Sequence, residues 1–399
     1  MSVEASAADP ADTPYDTAGN ALGRRSVELV RRVQDDSARW IIRLMLAGQH
    51  HEVTFAGLKS RPLDLPVALS RHLVGFTGGE ELAPVRPSGS SGAAGSTSLA
   101  QRAGAPAALS AMLRHLSDQL LVGDLAVRLE LPDAIHQLRV TCRSLRALLK
   151  AAAPFLERSR RREASQRLKT LARVCAPARD AEITAQLLTM GLDSLTPVNE
   201  DLITHLQELA FAQYTEGSRA VRQVLQQKEH HDLLTEMSAF ALNPPLTDKV
   251  TGLTARQLAN KLLRRSLRGV LESAAEPPDH ALSSDEAVLQ RAHNVRKAAK
   301  AVRYVASVLH GAGIKPQKDL HRAAKTSKRY QRELGAIIDS WVVLRWLSST
   351  ADRQAGEGDR YDLGLIQGVA AARYRDSLRH SGELIDEFLS QLADGSPAS

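Results

Sequence analysis

Cationic side chains at helical spacing are the feature of this sequence that points most directly to chemistry. Five basic residues follow one another at intervals of three or four positions: His136, Arg139, Arg143, Arg146 and Lys150. On a helix with 3.6 residues per turn they share a stripe roughly 80° wide. Beside it runs an apolar face made of Ile135, Leu138, Cys142, Leu145 and Leu149. No acid interrupts the stripe, whereas ordinary surface helices alternate charges of opposite sign. The pattern therefore predicts an anion-binding surface.

The same pattern recurs later in the chain, which indicates an internal duplication. At a constant offset of 157 residues, the first stripe is repeated by His293, Arg296, Lys300 and Arg303. At an offset of 159 residues, Arg162, Lys169 and Arg173 of the following helix are repeated by His321, Lys328 and Arg332, and Lys325 lies among the latter. Two consecutive helices that agree in register predict a duplicated helical unit of about 140 residues.

The charge of the chain is concentrated in the segments that carry these helices. Residues 136–173 hold eleven Lys and Arg against two Glu, and residues 293–332 hold eleven against one Asp. Since the formal net charge of the whole chain is only +7, the rest of the chain is net acidic. Such a distribution creates a local positive field without making the whole surface attract anions.

A third group of cations is predicted on a helix over residues 253–274. Lys261, Arg264 and Arg268 share one face of it. The equivalent helix of the first half, near 106–123, carries only Arg114 and His115. We therefore expect the second half to contribute more positive charge to any shared surface.

The order of the patterns predicts a mainly α protein with a small N-terminal β-rich part. We expect a β-rich segment at 1–86, a Gly/Ser/Ala linker at 87–104, and two pseudo-symmetric helical bundles at 105–245 and 246–396. Within the first segment, residues 1–14 have the composition of a disordered leader. Strands are predicted at 26–33, 38–46 and 51–56, followed by a short helix at 66–75. Late in the chain, separate helices are predicted at 316–334 and 337–350.

Nothing in the sequence predicts insertion into a membrane or secretion. No run approaches 18 apolar residues, and the start of the chain lacks the pattern of a signal peptide. The two cysteines, Cys142 and Cys175, lie in helical patterns rather than in a disulfide framework. We therefore expect a cytoplasmic protein.

The helical part resembles a known family. The His-x-x-Arg-x-x-x-Arg-x-x-Arg stripe, its repeat, and the sequence Ala178-Arg179-Asp180 are similar to the CHAD family, whose α-helical domains are marked by histidines. The counterpart in the second half is the stretch from Leu334 to Asp339, and the resemblance covers about residues 105–393. It implies two pseudo-symmetric bundles that meet along a basic groove, bind inorganic polyphosphate and reach polyphosphate granules. One departure is Asn294-Val295-Arg296, where members usually have Leu-Arg.

The N-terminal part resembles a fragment of the CYTH family, the triphosphate tunnel metalloenzymes often fused to CHAD domains. Tyr15 to Thr17, Val30 to Arg32, Trp40 to Arg43, and Glu52 follow the order of that family's tunnel strands. The opening Glu-x-Glu-x-Lys strand that supplies metal-binding carboxylates is missing, and phosphoryl transfer needs Mg²⁺ or Mn²⁺ on such ligands. We therefore expect a remnant without catalytic activity.

The type of ligand follows from the residues beside the cations. Arginine binds phosphate oxygens through two N–H groups, and lysine adds a point charge. Single-stranded nucleic acid also needs aromatic stacking surfaces, and the two basic segments contain only Phe155, Tyr304 and Tyr330. We expect inorganic polyphosphate, with weaker nucleic-acid binding or an adaptor role as the alternative, and triphosphate hydrolysis ranked third. The expected polyphosphate-binding residues are His136, Arg139, Arg143, Arg146, Lys150, Arg162, Lys169, Arg173, Lys261, Arg264, Arg268, His293, Arg296, Lys300, Arg303, His321, Lys325, Lys328 and Arg332.

Several residues have plainer interpretations. His136 and His293 either donate to phosphate or are helix-start histidines bonded to nearby backbone. Asp180 and Asp339 are expected at helix starts, where they cap the helix or pair with arginine. The adjacent pair His230-His231 points its side chains in different directions, so no metal site is expected, and neither a catalytic residue nor a cofactor is predicted.

Overall fold

The computed structural model describes residues 12–34, 37–56, 65–85, 104–192, 200–276, 283–351 and 356–394. Residue contacts divide the chain into two compact units. The first comprises residues 1–95, 113–141 and 222–243, and the second comprises residues 96–112, 142–221 and 244–399. The domain boundaries drawn from the sequence stay a prediction, and the expected linker at 87–104 lies outside the described residues except for Gly104.

The first unit contains an antiparallel sheet. Its strands are β1 (Asp12–Asp16), β2 (Val27–Gln34), β3 (Ser37–Leu46), β4 (Gln49–Ala56) and β5 (Ala83–Pro84), in the order β4-β3-β2-β1-β5. Helix α1 (Val67–Thr77) follows β4. The three predicted strands and the short helix are confirmed. The prediction of a disordered leader at 1–14 is wrong for residues 12–14, because they belong to β1, which pairs with β2. The carboxylate of Asp12 also accepts hydrogen bonds from two N–H groups of Arg32, at 2.6 and 2.8 Å.

Helical structure dominates the rest of the chain, as the sequence predicts. The helices are α2 (Ala105–Arg128), α3 (Ala134–Ala151), α4 (Arg158–Val174), α5 (Ala176–Leu192), α6 (Glu200–Leu225), α7 (Lys228–Leu242), α8 (Ala255–Ala275), α9 (Ser284–Gly311), α10 (Lys318–Trp346) and α11 (Arg360–Asp394). Among the described residues, no helix is both long enough and apolar enough to span a bilayer.

Helix α10 corrects the prediction of two helices at 316–334 and 337–350. It runs without a break to Trp346 and continues as a π-helical turn over Leu347–Ala351. Gly335, which lies between the two predicted helices, is buried inside α10, and a Cβ there would lie 3.4 Å from Nη2 of Arg296. The glycine therefore makes room for a neighbouring guanidinium rather than ending a helix. As a result Asp339 lies inside α10 and not at a helix start.

Helices and sheet pack together within the first unit. Gly75 of α1 lies against Leu121 and Leu234, with 3.3 Å from its ideal Cβ position to each side chain. Buried Asp124 accepts hydrogen bonds from Arg128 and contacts His230 Nε2, both at 2.7 Å. His230 is thus bonded to a carboxylate in the core. Within the described residues no group of three or more His, Cys, Asp or Glu side chains is placed to hold a metal ion.

The second unit is held by an apolar core and by backbone hydrogen bonds between the two halves of the duplication. Its core includes Leu202 and Leu206 of α6 with Leu363 and Ile366 of α11. The chain entering α4 and the chain after α7 are bonded through an isolated antiparallel bridge between Leu156 and Leu246. These contacts fix the start of α4 relative to the second half.

Candidate anion-binding site

Helix α9 positions the basic stripe of the second half. The helix begins with a capping box in which Ser283 and Glu286 exchange side-chain and backbone hydrogen bonds. One face is buried and apolar, with Ala292, Val295, Ala299, Val302 and Val305 at zero exposure. The adjacent face carries His293, Arg296, Lys300 and Arg303. His293 is the tenth residue of α9, so the alternative of a helix-start histidine is wrong for it.

Arg143 of α3 joins these residues from the first half of the duplication. Its positive charge contributes to lowering the pKa of His293, Arg296 and Lys300, so the four groups lie close together. Arg143 and Lys300 occupy equivalent positions of the duplicated pattern. We call Arg143, His293, Arg296, Lys300 and Arg303 the Lys300 cluster. It lies entirely within the second unit.

The lowered pKa of Lys300 shows that this cluster is strongly positive. Burial, together with the charges of Arg296 and Arg143, lowers the pKa of Lys300 to about 7, which the carboxylate of Asp339 opposes. The pKa of His293 is also lowered, first by burial and then by Lys297 and Arg296. Because both shifts disfavour further positive charge, an anion bound here would relieve repulsion that Asp339 compensates only in part.

Among the described residues, the carboxylate that contacts the cluster is Asp339 of α10. Asp339 Oδ1 accepts a hydrogen bond from Nη2 of Arg296 at 3.4 Å, and the Arg296 side chain is 14% exposed. Gly335 lies one turn earlier on the same helix, so the guanidinium rests on the glycine and reaches the aspartate. This arrangement holds Arg296 in place while its Nε, which is buried, has no hydrogen-bond partner among the described residues. The expected pairing of Asp339 with an arginine is thus observed, within a helix.

Arg146 extends the positive charge along α3. Its pKa is lowered by burial and by the charges of Arg143 and Arg173. Since Arg173 belongs to α4, a cation of that helix lies near the stripe. The Nε of Arg146 is buried and has no hydrogen-bond partner in the described part of the chain. Two guanidinium Nε atoms, Arg146 of the first half and Arg296 of the second, are therefore buried without a hydrogen-bond partner in the described chain.

Other predicted site residues have different surroundings. His136 and Arg139 lie on α3 in the first unit, and both are partly buried. Arg264 donates to the Gln317 side chain at 3.2 Å, and Arg162 lies near Arg161. For the following eight residues, the described chain shows no side-chain hydrogen bond or ion pair: Lys150, Lys169, Lys261, Arg268, His321, Lys325, Lys328 and Arg332. The binding role of every predicted site residue stays a prediction.

Comparison with protein families decides the kinship of the chain. The family model described as CHAD domain matches residues 111–348. The chain belongs to the CHAD domain family. This family is linked in general to polyphosphate binding, and its members are in general non-catalytic binding domains.

Related sequences and solved structures agree with this assignment. An uncharacterized protein of Mycobacterium tuberculosis, found in two strains, is 27% identical over 286 residues, which are 69% of this chain and 53% of the relative. The chain thus spans about half the length of the curated relatives it matches. Its fold is similar to the CHAD domain of the plant Ricinus communis, with a TM-score of 0.54, 23% identity and coverage of 70% of this chain and 93% of that one. It is also similar to PptA from Streptomyces chartreusis, with a TM-score of 0.51, 17% identity and coverage of 70% and 98%.

The N-terminal strands of this CHAD domain protein exist, whereas their kinship to the CYTH family stays a proposal. Two arginines of the segments that carry this resemblance form ion pairs with carboxylates of the same sheet. Arg32 binds Asp12, and Arg43 binds Glu52 at 2.8 Å and approaches Asp12 at 3.5 Å. In the described residues the sheet is open, since β4 and β5 are its two edges.

Proposed function

We propose that this protein binds inorganic polyphosphate through the Lys300 cluster. The observation that carries the proposal is a group of cations from two halves of a duplication, with Asp339 as the single carboxylate among the groups that shift the pKa of Lys300. Folding has brought these charges together against their mutual repulsion. A ligand with closely spaced negative charges compensates for that repulsion better than a single anion does.

The surroundings of the cluster favour a phosphate chain over nucleic acid. The three aromatic residues of the two basic segments, Phe155, Tyr304 and Tyr330, are all buried, with at most 7% exposure. None of them is therefore available to stack on a base, and base stacking supplies much of the affinity for single strands. Nucleic acid remains the alternative ligand, and we expect it to bind more weakly at equal charge.

A competition experiment tests this proposal. Labelled long-chain polyphosphate is bound to the protein at fixed salt and displaced with unlabelled polyphosphate, single-stranded DNA or RNA at matched phosphate concentration. We expect polyphosphate to displace the label at a concentration about ten-fold or more lower than either nucleic acid. Nucleic acid normally gains affinity from stacking on aromatic side chains, and the buried aromatic residues here do not provide it. Equal competition by DNA or RNA would favour the alternative ligand. Tight binding of long-chain polyphosphate would also target the protein to polyphosphate granules. Fluorescence microscopy of the tagged protein tests this.

We further propose that the N-terminal sheet is a CYTH-like remnant that does not hydrolyse triphosphates. The ion pairs of Arg32 and Arg43 with carboxylates support this, because these guanidinium groups are already neutralised. With Mg²⁺ or Mn²⁺, the purified protein should release no phosphate from ATP or tripolyphosphate above background. Turnover that disappears in an Arg43→Ala variant would refute the proposal.

A further inference from the structure

A second group of arginines lies at the start of α4, and Arg162 is the member of it that a predicted stripe already includes. Arg158, Arg161 and Arg162 come from the first two turns of α4, and Arg265 comes from α8. Their proximity is shown by Arg161, whose pKa is lowered by burial and then by the charges of Arg162, Arg265 and Arg158. We call these four residues the Arg161 cluster.

No carboxylate compensates for these charges. None of the four arginines forms an ion pair within the described chain, and no acid contributes to the pKa shift of Arg161. The nearby Glu157 carboxylate accepts a hydrogen bond from the Ser159 hydroxyl at 2.5 Å. Buried Nε of Arg161 has no hydrogen-bond partner among the described residues. Within the described chain, the Arg161 cluster therefore has four guanidinium charges without an ion pair and one buried Nε without a hydrogen-bond partner.

The fold does not need arginine at these positions. The residues of α4 that pack in the core are Ala164, Leu168, Leu171 and Ala172. The first turn of α4 contains no acid, although the positive end of a helix dipole favours acids and disfavours cations there. The four arginines at this end, three of them in the Arg161 cluster, thus oppose helix formation, and a bound anion would turn the same charges into a favourable interaction.

Backbone contacts hold the Arg161 cluster in a fixed position. The N–H of Glu157 donates to the Pro245 carbonyl at 2.8 Å, and the N–H of Thr247 donates to the Phe155 carbonyl at 3.0 Å. On the other side, Arg265 Nε donates to the carbonyl of Lys150, the penultimate residue of α3, at 3.3 Å. The cluster is therefore built from both halves of the duplication, as the Lys300 cluster is.

Helix α3 connects the two clusters with further cations. Arg143 belongs to the Lys300 cluster, Arg146 follows one turn later, and the backbone of Lys150 contacts Arg265. Seven residues separate Arg143 from Lys150, which is about 10 Å along a helix axis. Positive charge is thus placed at every turn of α3 between the clusters.

We propose that Arg158, Arg161, Arg162 and Arg265 form a second phosphate-binding subsite, which receives a polyphosphate chain that also occupies the Lys300 cluster. This inference rests on the proposed function and adds to it a requirement for chain length. A short chain fills one cluster, whereas a long chain fills both and gains the second contact without a second loss of translational freedom.

The test compares two pairs of substitutions on the same helices. The first variant carries Arg161→Gln and Arg265→Gln. Its control carries Arg160→Gln and Arg256→Gln, which remove two exposed charges from the first turns of α4 and α8 without touching either cluster. By calorimetry, we expect the first variant to bind long-chain polyphosphate about ten-fold or more weakly and tripolyphosphate within about two-fold of wild type. The Kd of the control for each ligand should stay within about three-fold of the wild-type value.

Each outcome has a defined meaning. Equal long-chain affinity of variant and control would overturn the second subsite and leave the proposed function standing. A wild-type protein that binds neither ligand would overturn the proposed function and the subsite together. A circular dichroism spectrum and melting curve of each variant show whether it has folded.

A measurement on the wild-type protein does not depend on variants. Phenylglyoxal modifies accessible arginines, and Arg162 and Arg265 are both exposed. We expect long-chain polyphosphate to protect both from modification, and saturating tripolyphosphate to leave them reactive. Equal protection by tripolyphosphate, or by inorganic phosphate, would identify an independent phosphate site and overturn the shared chain.

Discussion

Lys300 should make polyphosphate binding depend on pH near neutrality. Burial and the neighbouring Arg296 and Arg143 hold the pKa of this lysine at about 7, so about half of the free protein carries a neutral amine at pH 7. A bound phosphate chain favours the ammonium form and raises this pKa. Binding therefore takes up a proton above pH 7, and the affinity increases as the pH falls.

The size of the effect follows from the pKa of about 7. If only the charged amine binds tightly, Kd is multiplied by about 1.1 at pH 6, about 2 at pH 7 and about 11 at pH 8, which is a ten-fold weakening over two pH units. His293 acts in the same direction at lower pH. Its pKa is lowered by burial and by Lys297 and Arg296, and a bound anion raises it again.

Calorimetry at constant salt between pH 6 and 8 measures this dependence, and the matched variant is Lys300→Arg. An arginine stays charged throughout this range, so the variant should lose most of the change in Kd between pH 7 and 8. Titration of the ligand's own phosphate groups is common to both proteins and cancels in the comparison. The reasoning is refuted if Lys300→Arg weakens with pH as much as wild type does.

Three further outcomes are expected. Lys300→Met should stabilise the fold: the shift from 10.5 to about 7 corresponds to about 4–5 kcal/mol at 1.36 kcal/mol per pKa unit, and partial exposure leaves about 2 kcal/mol. This gain in the free energy of unfolding should be complete below pH 7 and vanish as the pH rises to 10.5, as urea titrations at pH 6 and 10 would show. If about eight cationic side chains contact a flexible phosphate chain, log K should fall with log salt at a slope near −6. An affinity independent of salt would exclude an electrostatic site. Gly217→Ala should destabilise by about 1–3 kcal/mol, because a Cβ there would lie 2.8 Å from the backbone N of Ala178, whereas Gly269→Ala, with open space, should stabilise by up to about 1 kcal/mol in thermal melts.

The helical fold and part of the site were accessible from the sequence because both depend on local periodicity. The apolar spacing in α3 and α9 identifies their buried faces, and the constant offset identifies Arg143 and Lys300 as equivalent positions. The structure brings these two residues together. Periodicity alone does not show which stripes meet, and several predicted cations, such as Lys261 and Arg268, are exposed and form no side-chain hydrogen bond or ion pair in the described chain.

Residues whose role depends on tertiary packing were missed. Gly335 falls in the gap between two predicted helices, and the approach of Arg296 shows why the continuous helix α10 contains a glycine there. The helical spacing selects Arg264 and Arg268 on α8 and leaves out Arg265, whereas in the structure Arg265 contacts the Lys150 carbonyl. The arginines at the start of α4 are visible in the sequence, but a run of cations is most often a solvated surface.

In the proposed function, the two halves of the duplication form one polyphosphate site. Arg143→Glu alters only the first half and Lys300→Glu only the second, while Arg256→Glu makes a similar change in the first turn of α8, outside the Lys300 cluster. Calorimetry with long-chain polyphosphate measures all three, after circular dichroism has confirmed their helical content. Each of the first two variants should bind about 10- to 100-fold more weakly than Arg256→Glu, because each loses a charge-assisted contact and gains repulsion. Retention of the Arg256→Glu affinity by either variant would contradict a shared site.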